Sequence, residues 1–179
     1  ESWKVVDYLK GFNWLTYYGG KFSTSQRRGI FMDDALDLFP ADYWRYYLTA
    51  NAPESNDVSF SWEHFAETVN KDLADVFGNF VNRCLKFCEK RFGPKIPAGG
   101  QWGIREEELA QGLEARVAAL KTALDSTEFR KAMSELRAIW VLGNNYLTRA
   151  APWSAAKENP EDAEIALRTS INLIRLYAL

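Results

Sequence analysis

From Ser61 onward, apolar residues recur every three or four positions, which is the spacing of one face of an α-helix. The first such stripe predicts a single helix of about 30 residues that ends near Gly93-Pro94, where a glycine and a proline stop helices. The members of this stripe are Trp62, Phe65, Ala66, Val69, Leu73, Val76, Phe77, Phe80, Cys84, Phe87 and Cys88.

Three more amphipathic helices follow. The second starts in the acidic run Glu106-Glu107-Glu108, because negative charge suits a helix N-terminus. Ser126 is the expected N-cap of the third, which Ala151-Pro152 ends, and Asn159-Pro160-Glu161 opens the last. The inward residues are Leu109, Leu113, Val117, Leu120 and Leu124; then Phe129, Met133, Leu136, Ile139, Trp140, Gly143, Tyr146 and Leu147; then Leu167, Ile171, Ile174 and Tyr177. Four amphipathic helices joined by short loops predict a helix bundle over residues 61–179.

Residues 1–60 have a mixed pattern that predicts a small α/β segment. Short strands are expected at 12–16 and 21–23, around the turn at 17–20. Asp33 is the expected cap of a short helix through Leu38, and a second helix rich in aromatic residues is expected from 41 to 51. Residues 51–59 are predicted to be a linker. The fold class is therefore mainly α, a bundle preceded by a small α/β segment.

Composition narrows the possible partners. The chain has 179 residues and a net charge of −2, so a nucleic acid would have to be bound by a local patch.

The possible metal ligands are few. A four-ligand zinc site cannot be completed by Cys84, Cys88 and the single His64, so we expect no metal site here. We expect the two cysteines to be reduced thiols, which fits the cytosol. The sequence shows no signal peptide and no membrane-spanning run, and its two ends have the character of a fragment of a longer protein.

A basic loop at Gly19–Gly29 holds glycines, Lys21, three hydroxyls and two arginines. These residue types suit a polyphosphate, because cations and small polar donors approach phosphate oxygens closely. The loop is not a Walker A motif, since Leu15 and Phe22 stand where that motif needs glycine and a hydroxyl residue. The simpler interpretation is a charged surface turn.

Two further candidates lie in the bundle. Asn79 and Arg83 share a helix face, and Arg83 has no carboxylate three or four residues away. Between residues 79 and 95 there are five cations and Glu89 as the only anion, which indicates either a basic patch or an ordinary solvated face. Trp153 either fills the bundle or presents its ring to an unstacked base.

The order of several motifs resembles the methionyl-tRNA synthetase family. The segment Lys21-Phe22-Ser23-Thr24-Ser25 looks like the Lys-Met-Ser-Lys-Ser signature of class I aminoacyl-tRNA synthetases. It is followed by similar stretches at 29–33, 40–48, 52–55 and 151–153, so that the resemblance covers nearly the whole chain. It implies a ligase that activates methionine with ATP and Mg²⁺ and transfers it to tRNA(Met) in the cytoplasm, without DNA or membrane.

The resemblance also assigns roles to residues. It implies that the signature loop binds ATP through Lys21, Ser23, Thr24 and Ser25, and that Lys21 stabilises the leaving pyrophosphate. Thr24 stands at the second lysine of the signature, so Arg27 or Arg28 is expected to supply the missing charge.

Asn79, Arg83 and Trp153 fall on the positions that recognise the CAU anticodon in that family. The bundle is then an anticodon-binding domain, and residues 1–60 are the signature-loop and stem-contact edge of a class I catalytic domain.

The second class I signature, His-Ile-Gly-His, is absent from this sequence, so we expect no activity from this chain alone. Two other functions remain open on the residues themselves: a stand-alone RNA-binding helical module, and a structural module for protein–protein contact.

Overall fold

The computed structural model describes residues 3–177, which form a mainly helical structure with one small sheet, as predicted. In chain order the elements are β1 (Leu15–Tyr17), α1 (Met32–Leu38), α2 (Ala41–Ala50), β2 (Val58–Phe60), α3 (Trp62–Thr68), a π-helical segment (Val69–Gly78), α4 (Asn79–Phe92), α5 (Ile104–Asp125), α6 (Phe129–Ala150), α7 (Pro152–Glu158) and α8 (Pro160–Tyr177). No helix in this described part is long and apolar enough to cross a membrane.

The first bundle helix runs without a break from Trp62 to Phe92, which confirms the predicted length. Ser61 caps it, because its Oγ accepts a hydrogen bond from the His64 N–H at 3.2 Å. The pattern gave no sign of the π-helical turns in its middle. Gly78 fits their wider winding, since a methyl group there would lie only 3.0 Å from the Leu73 carbonyl oxygen.

The larger core lies inside the bundle and joins α4, α5, α6 and α8. Its buried members are Phe80, Cys84, Leu109, Tyr146, Leu147, Ala150, Ala166 and Leu173. Gly143 allows Tyr177 to enter this core, because a Cβ there would lie 2.4 Å from the tyrosine oxygen. The predicted stripe of α5 is wrong in its second half, where Val117 and Leu124 are exposed. There α5 packs mainly on α6, and one neighbouring helix covers only a narrow face.

The start of α6 differs from the prediction. Ser126 is the C-cap of α5, and α6 begins at Phe129. The cap comes from far away in the sequence: the Glu54 carboxylate accepts hydrogen bonds from the N–H groups of Phe129 (2.6 Å) and Arg130 (3.3 Å). A contact between residues 75 positions apart produces no local sequence pattern, so the prediction of Ser126 as the N-cap is wrong.

The sheet of the first segment also differs from the prediction. β1 pairs in parallel with β2, in the register Leu15 to Val58 and Tyr17 to Phe60, so the predicted linker contains a strand. Residues 21–23 form no strand; Ser23 only bridges Arg28. Asp33 is not a cap either, because α1 starts at Met32 and Phe31, in the capping position, makes no side-chain hydrogen bond.

A second core crosses residue 60. Its buried members are Ala35, Trp44, Tyr47, Phe60, Phe65 and Val69, from both segments. Helix α2 supplies its centre, and the expectation that the aromatic residues of this helix pack on a neighbour is confirmed by the burial of Trp44 and Tyr47. The division of the chain at residue 60 remains a prediction, and the two segments it separates share this core.

Candidate functional site

The basic loop is a small, pinned structure on the surface. Tyr17 and Gly20 exchange two backbone hydrogen bonds of 2.7 and 3.1 Å, and Ser23 and Arg28 exchange two of 2.9 Å. Lys21 and Phe22 therefore connect two closed turns, and Ser23, Thr24 and Ser25 belong to the second one. The backbone of this loop is set by its own hydrogen bonds before any ligand arrives.

Donors and one ammonium group face solvent along the loop. Lys21 is exposed, and its Nζ lies 5.9 Å from the centre of the Trp14 ring. The Ser23 Oγ lies 3.3 Å from the Ser25 Oγ and accepts from the Gln26 N–H at 3.3 Å. Thr24 and Ser25 are exposed as well. These side chains are accessible to an anionic ligand.

The two arginines of the loop have different surroundings. Arg28 folds over Gly20, where an added methyl group would lie 2.1 Å from a guanidinium nitrogen, and it donates to the Tyr17 carbonyl oxygen at 3.1 Å. Arg28 therefore holds the loop together. Arg27 is exposed and makes no side-chain hydrogen bond or ion pair with any residue from 3 to 177. Of the two, Arg27 is the cation available for a ligand.

The structure brings Arg83 and Trp153 together, although they lie on different helices. The guanidinium carbon of Arg83 on α4 lies 5.1 Å from the ring centre of Trp153 on α7, a cation–π contact. The Arg83 Nη2 also donates to the Thr148 Oγ1 at 3.4 Å, and Phe87 meets the tryptophan ring edge-on at 6.4 Å. Four side chains from three helices thus form one cluster.

Trp153 does not fill the bundle core. Its side chain is 38% exposed, whereas the preceding Pro152 is fully buried. The chain turns sharply here because Ala151 adopts the left-handed conformation (φ 40°) that ends α6 and begins α7. The proline fills the space between helices, and the tryptophan ring is left partly accessible beside Arg83.

Asn79 lies one helical turn before Arg83 on α4 and is exposed. Lys86 and Lys90 continue the same face, because the spacing of 4, 3 and 4 residues keeps these four side chains within about 60° around a helix. In the described part of the chain, Arg83, Lys86 and Lys90 form no ion pair. This face of α4 is therefore uncompensated positive charge next to an accessible aromatic ring.

The sequence pattern missed two members of this cluster, Thr148 and Phe87. Phe87 lies four residues after Arg83 and belongs to the predicted apolar stripe. It is only half-buried, and its ring also contacts the Trp153 ring. Thr148 lies on the outer face of α6, and no local signal connects it with α4.

Comparison with known proteins identifies the family. A model of class I methionyl tRNA synthetases matches residues 1–85, and a model of the anticodon binding domain of methionyl tRNA ligase matches residues 96–179. The methionine–tRNA ligases of Streptomyces avermitilis and Paracoccus denitrificans are 59% and 58% identical over all 179 residues. The chain belongs to the methionyl-tRNA synthetase family. It spans 31% of the length of these two synthetases.

Solved methionyl-tRNA synthetases have the same fold. The Mycobacterium tuberculosis methionyl-tRNA synthetase in complex with methionyl-adenylate superimposes with a TM-score of 0.83 at 20% identity, over 94% of this chain and 34% of that one. A second structure of that enzyme, bound by methionyl-adenylate, gives 0.82 at 18% identity, over 92% of this chain and 33% of that one. At 18–20% sequence identity, this likeness shows that the fold is shared. The second half of α4, with Lys86 and Lys90, lies in the interval between the two family models.

Proposed function

We propose that this chain is the ATP-loop and anticodon-binding part of a methionine–tRNA ligase. The whole enzyme activates methionine with ATP to methionyl-adenylate and transfers the methionyl group to tRNA(Met) in the cytoplasm. The observation that carries the proposal is the contact between Arg83 and Trp153, two residues that are 70 positions apart and form one accessible cluster. The two buried, free cysteines fit a reducing compartment.

The cluster has the chemistry to recognise an unpaired anticodon base. A base that stacks on the Trp153 ring lies next to the guanidinium donors of Arg83, and the Asn79 amide offers both a donor and an acceptor to the base edge. Cytosine, the first base of a CAU anticodon, presents acceptors and a donor on its Watson–Crick edge, which this set of groups can satisfy. Lys86 and Lys90 lie further along the same face and suit backbone phosphates.

The loop of the first segment has the chemistry to bind ATP phosphates. The exposed Lys21 supplies one ammonium group, and Ser23, Thr24 and Ser25 supply hydroxyls. Thr24 carries no charge, and the exposed Arg27 takes the place of the second signature lysine. Residues 19–29 contain no carboxylate, so Mg²⁺, which the family resemblance implies, would be held at this loop by the phosphates of ATP. These cations favour the charge that develops on the departing pyrophosphate.

Methionine-dependent exchange of pyrophosphate into ATP, measured on the full-length protein and on this chain, tests the proposal. We expect exchange and methionylation of tRNA by the full-length protein, and no exchange by this chain, which lacks the His-Ile-Gly-His signature. A full-length protein that binds tRNA without charging it would favour an RNA-binding module. A protein with neither property would favour a structural module.

A further inference from the structure

The N-terminus of α6 is held by the first segment of the chain through Glu54. The side chain of Glu54 is only 14% exposed, and it accepts hydrogen bonds from Phe129 N–H, Arg130 N–H and, at 3.1 Å, Lys10 Nζ. Lys10 in turn donates to the Thr127 carbonyl oxygen in the turn before α6. One carboxylate and one ammonium group thus connect the first segment to the start of this helix.

Further contacts pack the first segment against the start of α6, and we call this contact region the junction. The rings of Phe12 and Phe129 stack with their centres 6.0 Å apart, and Lys10 lies over both rings. Partial burial by itself raises the pKa of Glu54, but the hydrogen bonds from Lys10, Phe129 and Arg130 outweigh it and hold the pKa below its ordinary value. Glu54 is therefore ionised at neutral pH, as a charged cap requires.

Helix α6 connects this junction with the Arg83–Trp153 cluster. It has 22 residues and is about 33 Å long at 1.5 Å per residue. Tyr46 of α2 stacks on Trp140 in its middle, with ring centres 5.7 Å apart. Its last turns carry Thr148, which accepts from Arg83, and it ends at the turn that presents Trp153. One continuous helix thus contacts both the junction and the cluster.

We propose that Glu54 is a positioning residue that fixes α6 on the first segment and thereby sets the Arg83–Trp153 cluster relative to the Lys21 loop. This inference rests on the proposed function, because it concerns how anticodon binding at one end supports charging at the other. Glu54 does not contact either candidate site among the described residues; its partners are Lys10 and the start of α6. The coupling acts in transfer to tRNA, because this step requires the anticodon to lie at the cluster while the 3′ end of the tRNA lies at the catalytic domain.

The test is the substitution Glu54→Gln in the full-length enzyme, which keeps the size of the side chain and removes its charge. We expect kcat for methionylation of tRNA to fall by about tenfold, within the usual range of coupling between sites. We expect tRNA affinity and pyrophosphate exchange to stay within about twofold of wild type. The preference for a CAU anticodon should shrink in kcat and persist in binding, an outcome that simple loss of folded protein does not produce.

Glu128→Gln is the matched control. Glu128 precedes the same helix, but its carboxylate pairs only with the exposed Lys131 among the described residues, so this variant should behave as wild type. If Glu54→Gln yields too little folded enzyme, Lys10→Gln is measured in the same assays, with the same expected split between transfer and exchange. Equal losses in exchange and transfer in Glu54→Gln would overturn the inference. Wild-type kinetics in both Glu54→Gln and Lys10→Gln would overturn it as well. A wild-type enzyme that does not charge tRNA would instead overturn the proposed function.

Discussion

Trp153→Ala separates a base-stacking tryptophan from a packing tryptophan. The ring makes a cation–π contact with Arg83 at 5.1 Å and an aromatic contact with Phe87 at 6.4 Å, and Trp153 is 38% exposed. An exposed cation–π contact contributes about 0.5–1 kcal/mol and an aromatic pair about 0.5–1.5 kcal/mol. The loss of these two contacts should therefore cost about 1–2.5 kcal/mol in stability, below the roughly 3–5 kcal/mol of a buried tryptophan.

The effect on RNA binding should be larger than the effect on folding. A base–aromatic stack contributes about 1–3 kcal/mol, which corresponds to about 5- to 150-fold in affinity. For a chain of this size, each kcal/mol lowers the midpoint of thermal unfolding by about 2–4 °C. The variant should therefore remain folded at 25 °C and lose most of its preference for the CAU anticodon.

The assay is a pair of measurements on the same variant: the thermal midpoint, and the affinity for tRNA with a CAU or an altered anticodon at one salt concentration. Trp102→Ala is the control, because Trp102 is 58% exposed in the loop before α5 and does not contact the cluster. Arg83→Ala should cause a comparable loss, and the double variant less than the sum, since the two side chains touch. A large fall in midpoint with the anticodon preference intact would refute this reasoning.

Three further predictions concern the Lys21 loop, the basic face of α4 and the helix bundle. Lys21→Ala in the full-length enzyme should slow adenylate formation and leave methionine affinity near normal, because its charge acts on the leaving phosphates; an unchanged rate in pre-steady-state kinetics would move that role to Arg27. Lys86→Gln and Lys90→Gln should each reduce the slope of log affinity against log salt by about one without changing anticodon preference, and an unchanged slope would exclude phosphate contacts. A fragment of residues 61–179 should melt cooperatively as a helical bundle, since the larger core lies within it, but at a lower midpoint because the second core is cut; a fragment without a cooperative transition would contradict the division at residue 60.

The helices could be predicted because their signals are local. Apolar spacing located the long helix that ends at Phe92, just before Gly93. The Asn159-Pro160 signal located α8, where the Asn159 side chain accepts from the Glu161 N–H at 3.2 Å. The errors arose where distant residues decide the local structure. The cap of α6 comes from Glu54, and β1 finds its partner more than 40 residues away.

The sequence and the family resemblance name candidate site residues, whose roles stay predictions, but they do not give the arrangement of these residues. Residue types and the family resemblance named Asn79, Arg83 and Trp153, but only the fold shows that Arg83 lies on the Trp153 ring and that Thr148 accepts from it. In the loop, the sequence left two arginines equivalent. The close approach of the Arg28 guanidinium to Gly20 distinguishes them, and the sequence does not show this contact.

The most direct test of the account is the affinity of this chain for a tRNA transcript with a CAU anticodon, compared with the same transcript carrying a changed first anticodon base. Both are measured at one fixed salt concentration, because phosphate contacts depend strongly on salt. Loss of a matched base typically costs about 1–3 kcal/mol, so we predict that the CAU transcript binds about 5- to 150-fold more tightly. Equal affinity for the two transcripts would contradict the assignment of Asn79, Arg83 and Trp153 as an anticodon-reading surface.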